Sequence, residues 1–359
     1  MVWRLISNPW FSVLINGVPR GFFSASRGLR QGDPLSPSLF ILGTEVLSRL
    51  LNWLEVHPGF CGFKVPRACP PVSHLGFADD VLVFSSASAS SLKLLMETLT
   101  RYEGISGQKI NASKSGFMVH SAMTQGRRAV IQRVTGFSHR GFPVCYLGVS
   151  LFVGRQKKDF FQDLLTKVYA KIASWQNRLL SFGGKIVLIK HVLSSIPLHL
   201  LATVSPPKSI LTAVERIFSN FLWGAVEGVA KHHWIGWKEL CAPREEGGVG
   251  FRSMSDVVSA FSVKLWWRLR QNSSLWAKFM LAKYVRNAHP GMVGDTVGAS
   301  ATWHRMLQVR DLAEQHITFV IRSGSSNFWF DNWLGTGPLS GRLCNVSDHR
   351  VADFLAGGK

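Results

Sequence analysis

Two short apolar runs separated by adjacent carboxylates constrain this chain most. Val72-Ser73-His74-Leu75-Gly76 leads into Phe77-Ala78-Asp79-Asp80, and Val81-Leu82-Val83-Phe84 follows. Runs of this length, rich in apolar and β-branched residues, predict paired strands with the acidic dipeptide at their turn. Asp by itself is common in hairpin turns, where its side chain bonds the local backbone. Placed between apolar strands rather than in a polar loop, this pair projects acid from the end of a half-buried hairpin. Carboxylate oxygens presented in that way suit a hard cation such as Mg2+.

Other local signals surround that hairpin. Phe11 to Ile15 and Gly21 to Ser24 flank Asn16-Gly17, which favours the left-handed conformations of a tight hairpin turn. In Arg27-Gly28-Leu29-Arg30-Gln31-Gly32-Asp33-Pro34, two glycines allow close backbone approach, and Asp33-Pro34 reads as an N-cap followed by a first-turn proline. Helical spacing then runs from Leu39 to Leu54, with Phe40, Val46, Leu47, Leu50, Leu51 and Leu54 as its buried stripe. Beyond the acidic turn, Ser88 caps a helix with Leu92, Leu95, Met96, Leu99 and Tyr102 inward, ended by Gly104. A short strand near residues 116–119 follows.

Near residue 150 the pattern changes to long helices, the first carrying Phe160, Leu164, Leu165, Val168, Ile172 and Trp175 inward. Further helices are predicted at 184–195, 208–222 and 255–284, and an aromatic-rich hairpin or turn at 322–333. The fold class is therefore α+β: an antiparallel sheet with helices over residues 1–150, a helical segment over 151–225, and a second helical region over 226–359.

The formal net charge of +20, in a chain of 359 residues with 46% apolar and 17% charged content, points to a polyanionic partner. Lys and Arg are spread over both halves and not gathered on one amphipathic helix, which favours nucleic acid over a membrane surface. The apolar segment 186–204 carries Lys190, His191, Pro197 and His199, so no membrane span is expected. Five cysteines form no C-x-x-C pair and leave one over in any disulfide scheme, which suits a reducing, intracellular compartment. His232, His233 and Cys241 lack a fourth ligand at a zinc spacing. Most of the tryptophans, Trp266 and Trp267 among them, are expected in the core rather than against bases.

Two-metal phosphoryl or nucleotidyl transfer needs carboxylates from at least two places in the chain. Asp79 is a strong candidate ligand; Asp80 either binds or orients the turn. The sequence around them supplies further motifs in order: residues 27–37, then Phe77 to Asp80, then Ser106-Gly107-Gln108-Lys109-Ile110-Asn111 with Lys114-Ser115, then Tyr146-Leu147-Gly148. This series resembles the reverse transcriptases of non-LTR, LINE-type retrotransposons, especially the plant lineage. Similarity continues through residues 171–175, 181–190, 221–224 and 238–250.

The resemblance implies a partial reverse-transcriptase palm followed by a helical thumb and connection region. It implies RNA-templated DNA synthesis from a 3′-hydroxyl with Mg2+ and deoxynucleoside triphosphates, on an RNA template and a DNA primer or target, in the nucleus. Asp79 and Asp80 match the metal-site pair, and Lys114 a lysine near the pyrophosphate. Arg27, Arg30, Gln31 and Gly32 match the element bordering nucleotide and template. Tyr146, Leu147 and Gly148 match the segment gripping the primer end. Blander readings make Arg27 and Arg30 solvated phosphate contacts, Lys114 a surface lysine, and Tyr146-Leu147 core.

In the family a first metal aspartate stands on a strand upstream of the residue 27–37 motif, whereas residues 1–26 hold no Asp or Glu. Little or no polymerisation is therefore expected of this chain alone, and a non-catalytic, basic nucleic-acid-binding remnant is the alternative. The expected central strand would lie beside the acidic hairpin, so an exposed sheet edge is expected there. The sequence does not specify an oligomeric state.

Overall fold

Asn16 and Gly17 take φ values of 51° and 79°, which lets a two-residue turn follow the twist of its flanking strands. They join β1 (Trp10–Ile15) to β2 (Val18–Ser24) in an antiparallel pair, with Ile15 opposite Val18 and Trp10 opposite Ser24. The structure is a computed structural model that describes residues 7, 9–25, 28–175, 180–224, 232–322, 324–342 and 348–354. Arg27 and Cys344 lie outside the described residues.

Helix α1 (Ser36–Glu55) contains the expected 39–54 spacing but starts two residues beyond Pro34, the proline expected in its first turn. The Asp33 carboxylate does not cap it; Oδ1 accepts instead from Leu35 N at 2.8 Å, a local Asx turn, and Pro37 is the proline in the first helical turn. Only the C-terminal part of the expected stripe is deeply buried, at Leu51 and Leu54, while Val46 is exposed and Ile41 and Leu42 are about two-thirds exposed at 65% and 66%.

β3 (His74–Phe77) and β4 (Asp80–Val83) form the predicted acidic hairpin, a two-stranded antiparallel sheet with Phe77 opposite Asp80. Its base packs against α1, but its tip is not half-buried: Leu75, Phe77 and Val81 are all exposed. Helix α2 (Ala89–Ser106) is capped by Ser88, whose side chain accepts from Ser91 N, and buries Leu92, Leu95, Leu99 and Tyr102. Gly104 does not end it. The helix runs to Ser106 and stops at Gly107, which takes φ of 70° and donates to Glu103 O.

β5 (Gly116–Phe117) pairs in parallel with β6 (Ser138–His139), and between them lies α3 (Gln125–Thr135), a helix not expected from the sequence. Leu51, Leu54, Leu95 and Leu99 form the core joining α1 and α2.

The chain divides into two compact units: Met1–Val65 with Pro71–Arg140, and Pro66–Pro70 with Gly141–Lys359. In the second, β7 (Val144–Tyr146) and β8 (Val149–Leu151) make a hairpin. Helices α4 (Gln162–Ala173), α5 (Phe182–His191), α6 (Leu198–Thr203) and α7 (Lys208–Trp223) build a core around Val168, Ile189, Leu193, Leu201, Val214 and Phe218. That core extends through α8 (Trp237–Cys241) to Met254 and Val257, past the junction expected at 225.

The long helix expected at 255–284 is broken. α9 (Met254–Gln271) ends at Asn272, which adopts φ of 48°, and α10 (Leu275–Met280) restarts with Ser274 accepting from Ala277 N. Trp266 is fully buried as expected, whereas its neighbour Trp267 is exposed. α11 (Ala301–Leu307) and α12 (Arg310–His316) close a second core on Trp266, Leu269, Trp303 and Met306. Among the described residues no helix is long and apolar enough to cross a membrane.

Candidate active site

The acidic turn is built by its backbone. Ala78 and Asp79 are the two residues between the strands, and Ala78 is held at φ of 50°. Asp79 and Asp80 are both exposed at the hairpin tip, accessible to a cation. Among the described residues no three His, Cys, Asp or Glu side chains gather as a metal cage. Two adjacent carboxylates have the oxygen chemistry of a Mg2+ ligand pair, but they fit only part of a two-ion centre.

Arg30, Gln31 and Gly32 belong to the loop entering α1. Gly32 takes φ of 83° and Gly28 takes 92°, and a Cβ on either would meet nothing within 4 Å. Both glycines take a backbone conformation that L side chains rarely adopt, and no other described part of the chain presses on them. The loop is held by Ser36 Oγ, which donates to Arg30 O at 2.6 Å, and the Arg30 guanidinium lies 6.0 Å from the Phe11 ring centre. Gln31 is exposed.

Lys114 is exposed on a tight turn. Asn111 O accepts from Lys114 N and Ser115 N, and Asn111 Oδ1 accepts from Ser113 Oγ at 2.7 Å. Arg140, just after β6, donates to the carbonyls of Lys114 and Ser113. Its side chain crosses Gly116 so closely that a Cβ there would lie 2.7 Å from Arg140 Nε. Sequence reading gave Arg140 no role, because 26 residues separate it from the turn that it holds. Gln108 in the preceding motif is structural: its Oε1 accepts from the buried Tyr102 hydroxyl at 2.7 Å.

In the second unit, Leu147 and Gly148 form the two-residue turn between β7 and β8 with φ of 50° and 75°. His199 on α6 lies 2.7 Å from Leu147 O, tying that turn to the helical core. Tyr146 and Leu147 are half-buried and Gly148 is exposed. His233 lies 3.3 Å from Ser219 Oγ, and burial, then Glu215 and Asp256, push the Cys241 thiol up to about 12.

A buried polar cluster in the same unit had no counterpart in the sequence reading. Arg270 is ion-paired with Glu314 at 3.0 Å and with Asp331, and Asp331 also meets His289 at 2.9 Å. Trp266 Nε1 donates to Glu314 Oε1 at 2.7 Å, and Asn327 N donates to Asp331 Oδ2. Burial pushes the Glu314 carboxyl up despite Arg270. Burial alone would also raise Asp331, but the His289 hydrogen bond, Arg270 and Asn327 N together hold it below the usual carboxylate range. The Asn327 and Asp331 positions mark a tight turn, but nothing in their spacing announces a partner on α9 more than 50 residues earlier.

Residues 2–151 match the reverse transcriptase (RNA-dependent DNA polymerase) family model. This segment of the chain is thus similar to reverse transcriptases, and proteins of retrotransposable elements are among its relatives. A protein of Arabidopsis thaliana named as a ribonuclease H protein is 34% identical over 194 residues, covering 52% of this chain and 31% of its own length. The transposon TX1 149 kDa protein of Xenopus laevis is 25% identical over 241 residues, or 66% of this chain and 17% of its own. The Pol polyprotein of the R2DM type-2 retrotransposable element of Drosophila melanogaster is 39% identical over 92 residues, or 26% of this chain and 8% of its own. The chain spans less than a third of the length of each of these relatives.

Proposed function

We propose that this chain provides the acidic hairpin and a nucleic-acid-binding surface of an RNA-directed DNA polymerase from a plant LINE-type element. The observation that carries this reading is the exposed Asp79-Asp80 tip inside the segment that matches the reverse-transcriptase family. Asp79 and Asp80 would hold Mg2+, which in this chemistry stabilises charge on the transferring phosphoryl group. Arg30, Gln31 and Gly32 would border template and incoming deoxynucleotide, Lys114 would face the pyrophosphate side, and Tyr146 to Gly148 would lie along the primer end.

A second reading is favoured by one observation: no third ligand joins the two carboxylates among the described residues. On that reading the chain alone is a basic binder of RNA and DNA without polymerase activity. Salt titration of binding to a single-stranded RNA and an RNA–DNA duplex tests what both readings share. Affinity is expected to fall steeply and linearly on a log–log plot, as counterions are released from phosphates. Binding that is absent at low salt, or unmoved by salt, would contradict both.

A further inference from the structure

His74 opens β3 at the end of the hairpin remote from the acidic turn, and both of its ring nitrogens are engaged. Nε2 lies 2.8 Å from Ser48 Oγ on α1, and Nδ1 lies 2.8 Å from Ser73 Oγ. Ser73 Oγ donates to Asn52 Oδ1 at 2.9 Å. With its proton committed there, Ser73 Oγ accepts from His74, so Nδ1 carries the ring proton and Nε2 accepts from Ser48. The bonds thus run in one direction, from Ser48 to His74 to Ser73 to Asn52. A neutral imidazole completes that sequence. An imidazolium donates at both nitrogens, so Ser48 Oγ would have to give up its donated bond and accept instead, with a charge placed in a half-buried site.

Ser48 and Asn52 are four residues apart and share one face of α1, so the bonds seat β3 against that face. The tip beyond has no such support: Leu75, Phe77 and Val81 are exposed, and packing does not set the hairpin's direction there. Around the ring, α1 presents Glu45, itself paired with Arg49 at 2.9 Å, while β4 places Val83 opposite His74 and Asp80 at the far end of the ladder. Burial holds the imidazole below its usual range against the pull of Glu45.

We propose that His74 is a positioning residue whose imidazole clamps the β3–β4 hairpin to α1 and so fixes how Asp79 and Asp80 project. The functional weight of this clamp rests on the reading of those carboxylates as the working pair, but its existence does not.

Amide hydrogen exchange across residues 74–83 of the full chain tests it, comparing wild type with His74→Ala and His74→Gln. His74→Ala is expected to speed exchange at the hairpin about tenfold while the α2 amides of Leu95 and Leu99 keep their protection. After correction for intrinsic rates, wild-type hairpin exchange should rise as pH falls below the usual imidazole range of about 6.5. His74→Gln, which has no titrating ring, should give a flat profile. Unchanged hairpin exchange in His74→Ala, or the same pH profile in His74→Gln, overturns the clamp. If His74→Ala unfolds the whole chain, the wild-type and His74→Gln profiles still decide. Mn2+ alone, read by paramagnetic broadening at Asp79 and Asp80, separates the two ideas: no broadening in wild type removes the metal reading and leaves the exchange result standing.

Discussion

Ala78 is the strained residue of the acidic turn, since φ of 50° brings the Cβ of an L-residue toward its own carbonyl. Ala78→Gly is expected to raise the unfolding free energy by about 0.5–1 kcal/mol, part of the strain being offset by glycine's extra freedom in the unfolded chain. Denaturant titration reads this, and a loss of stability would show that the turn is not strained. At Cys241, burial and two nearby carboxylates keep the thiol protonated far above neutral pH. Alkylation at pH 8 followed by peptide mapping should label the exposed Cys61 and Cys145 and spare Cys241 until the chain is unfolded. Equal labelling of all three would contradict the burial of Cys241. These features escape sequence reading for different reasons. A left-handed alanine leaves no compositional mark, and the carboxylates near Cys241 come from α7 and α9.

Among the elements, the seam between α9, α12 and the Asn327–Asp331 turn carries the largest single-residue dependence. Arg270 and Asp331 are each 8% exposed, so removing Asp331 leaves the buried guanidinium with Glu314 alone and His289 without its carboxylate. Asp331→Ala is expected to cost roughly 3–5 kcal/mol in denaturant unfolding; a cost under about 1 kcal/mol, the range of an exposed pair, would show that the seam is solvated. The pH dependence has a definite sign. Asp331 has a depressed carboxyl, so its contribution is full above the unfolded value near 3.9 and is lost as pH falls through the folded value. Glu314 is raised and acts oppositely: its contribution is present below about 4.3 and lost as pH rises. Asp331→Asn should therefore flatten the acid limb of stability, leaving the Glu314 trend exposed.

The elements with strong periodic apolar patterns, α2, α4 and α7, were legible in the sequence, as were the Asn16-Gly17 hairpin and the acidic hairpin that turns at Ala78-Asp79. Helix α3 was not: it buries only Ile131 and Thr135 and carries three arginines and Gly126, so no apolar stripe betrays it. The break between α9 and α10 was missed because Asn272 and Ser274 interrupt a run whose apolar spacing continues across them.

At the scale of the molecule, the sequence motifs fall into the two units separately. Asp79, Asp80, Lys114 and the Arg30 to Gly32 loop belong to the first, and Tyr146 to Gly148 belong to the second. Motif order in the sequence was enough to indicate the family, and the match over residues 2–151 bears that out. It could not show that the first unit leaves apolar surface open on β1, β2 and the first half of α1, at Trp10, Leu14, Phe22, Ile41 and Leu42. A two-stranded hairpin with exposed faces is marginal in isolation, and the acidic hairpin has the same form. A formal charge of +20 and open apolar faces are surface features found on proteins that meet partners.

The central proposal is that Asp79 and Asp80 are one part of a metal centre whose other carboxylates are not gathered beside them among the described residues. Primer extension on an RNA template, with purified chain, Mg2+ and deoxynucleoside triphosphates, tests it most directly beside Asp79→Ala. The account predicts no extension above background in either protein. Mg2+-dependent extension by wild type that disappears in Asp79→Ala would contradict it.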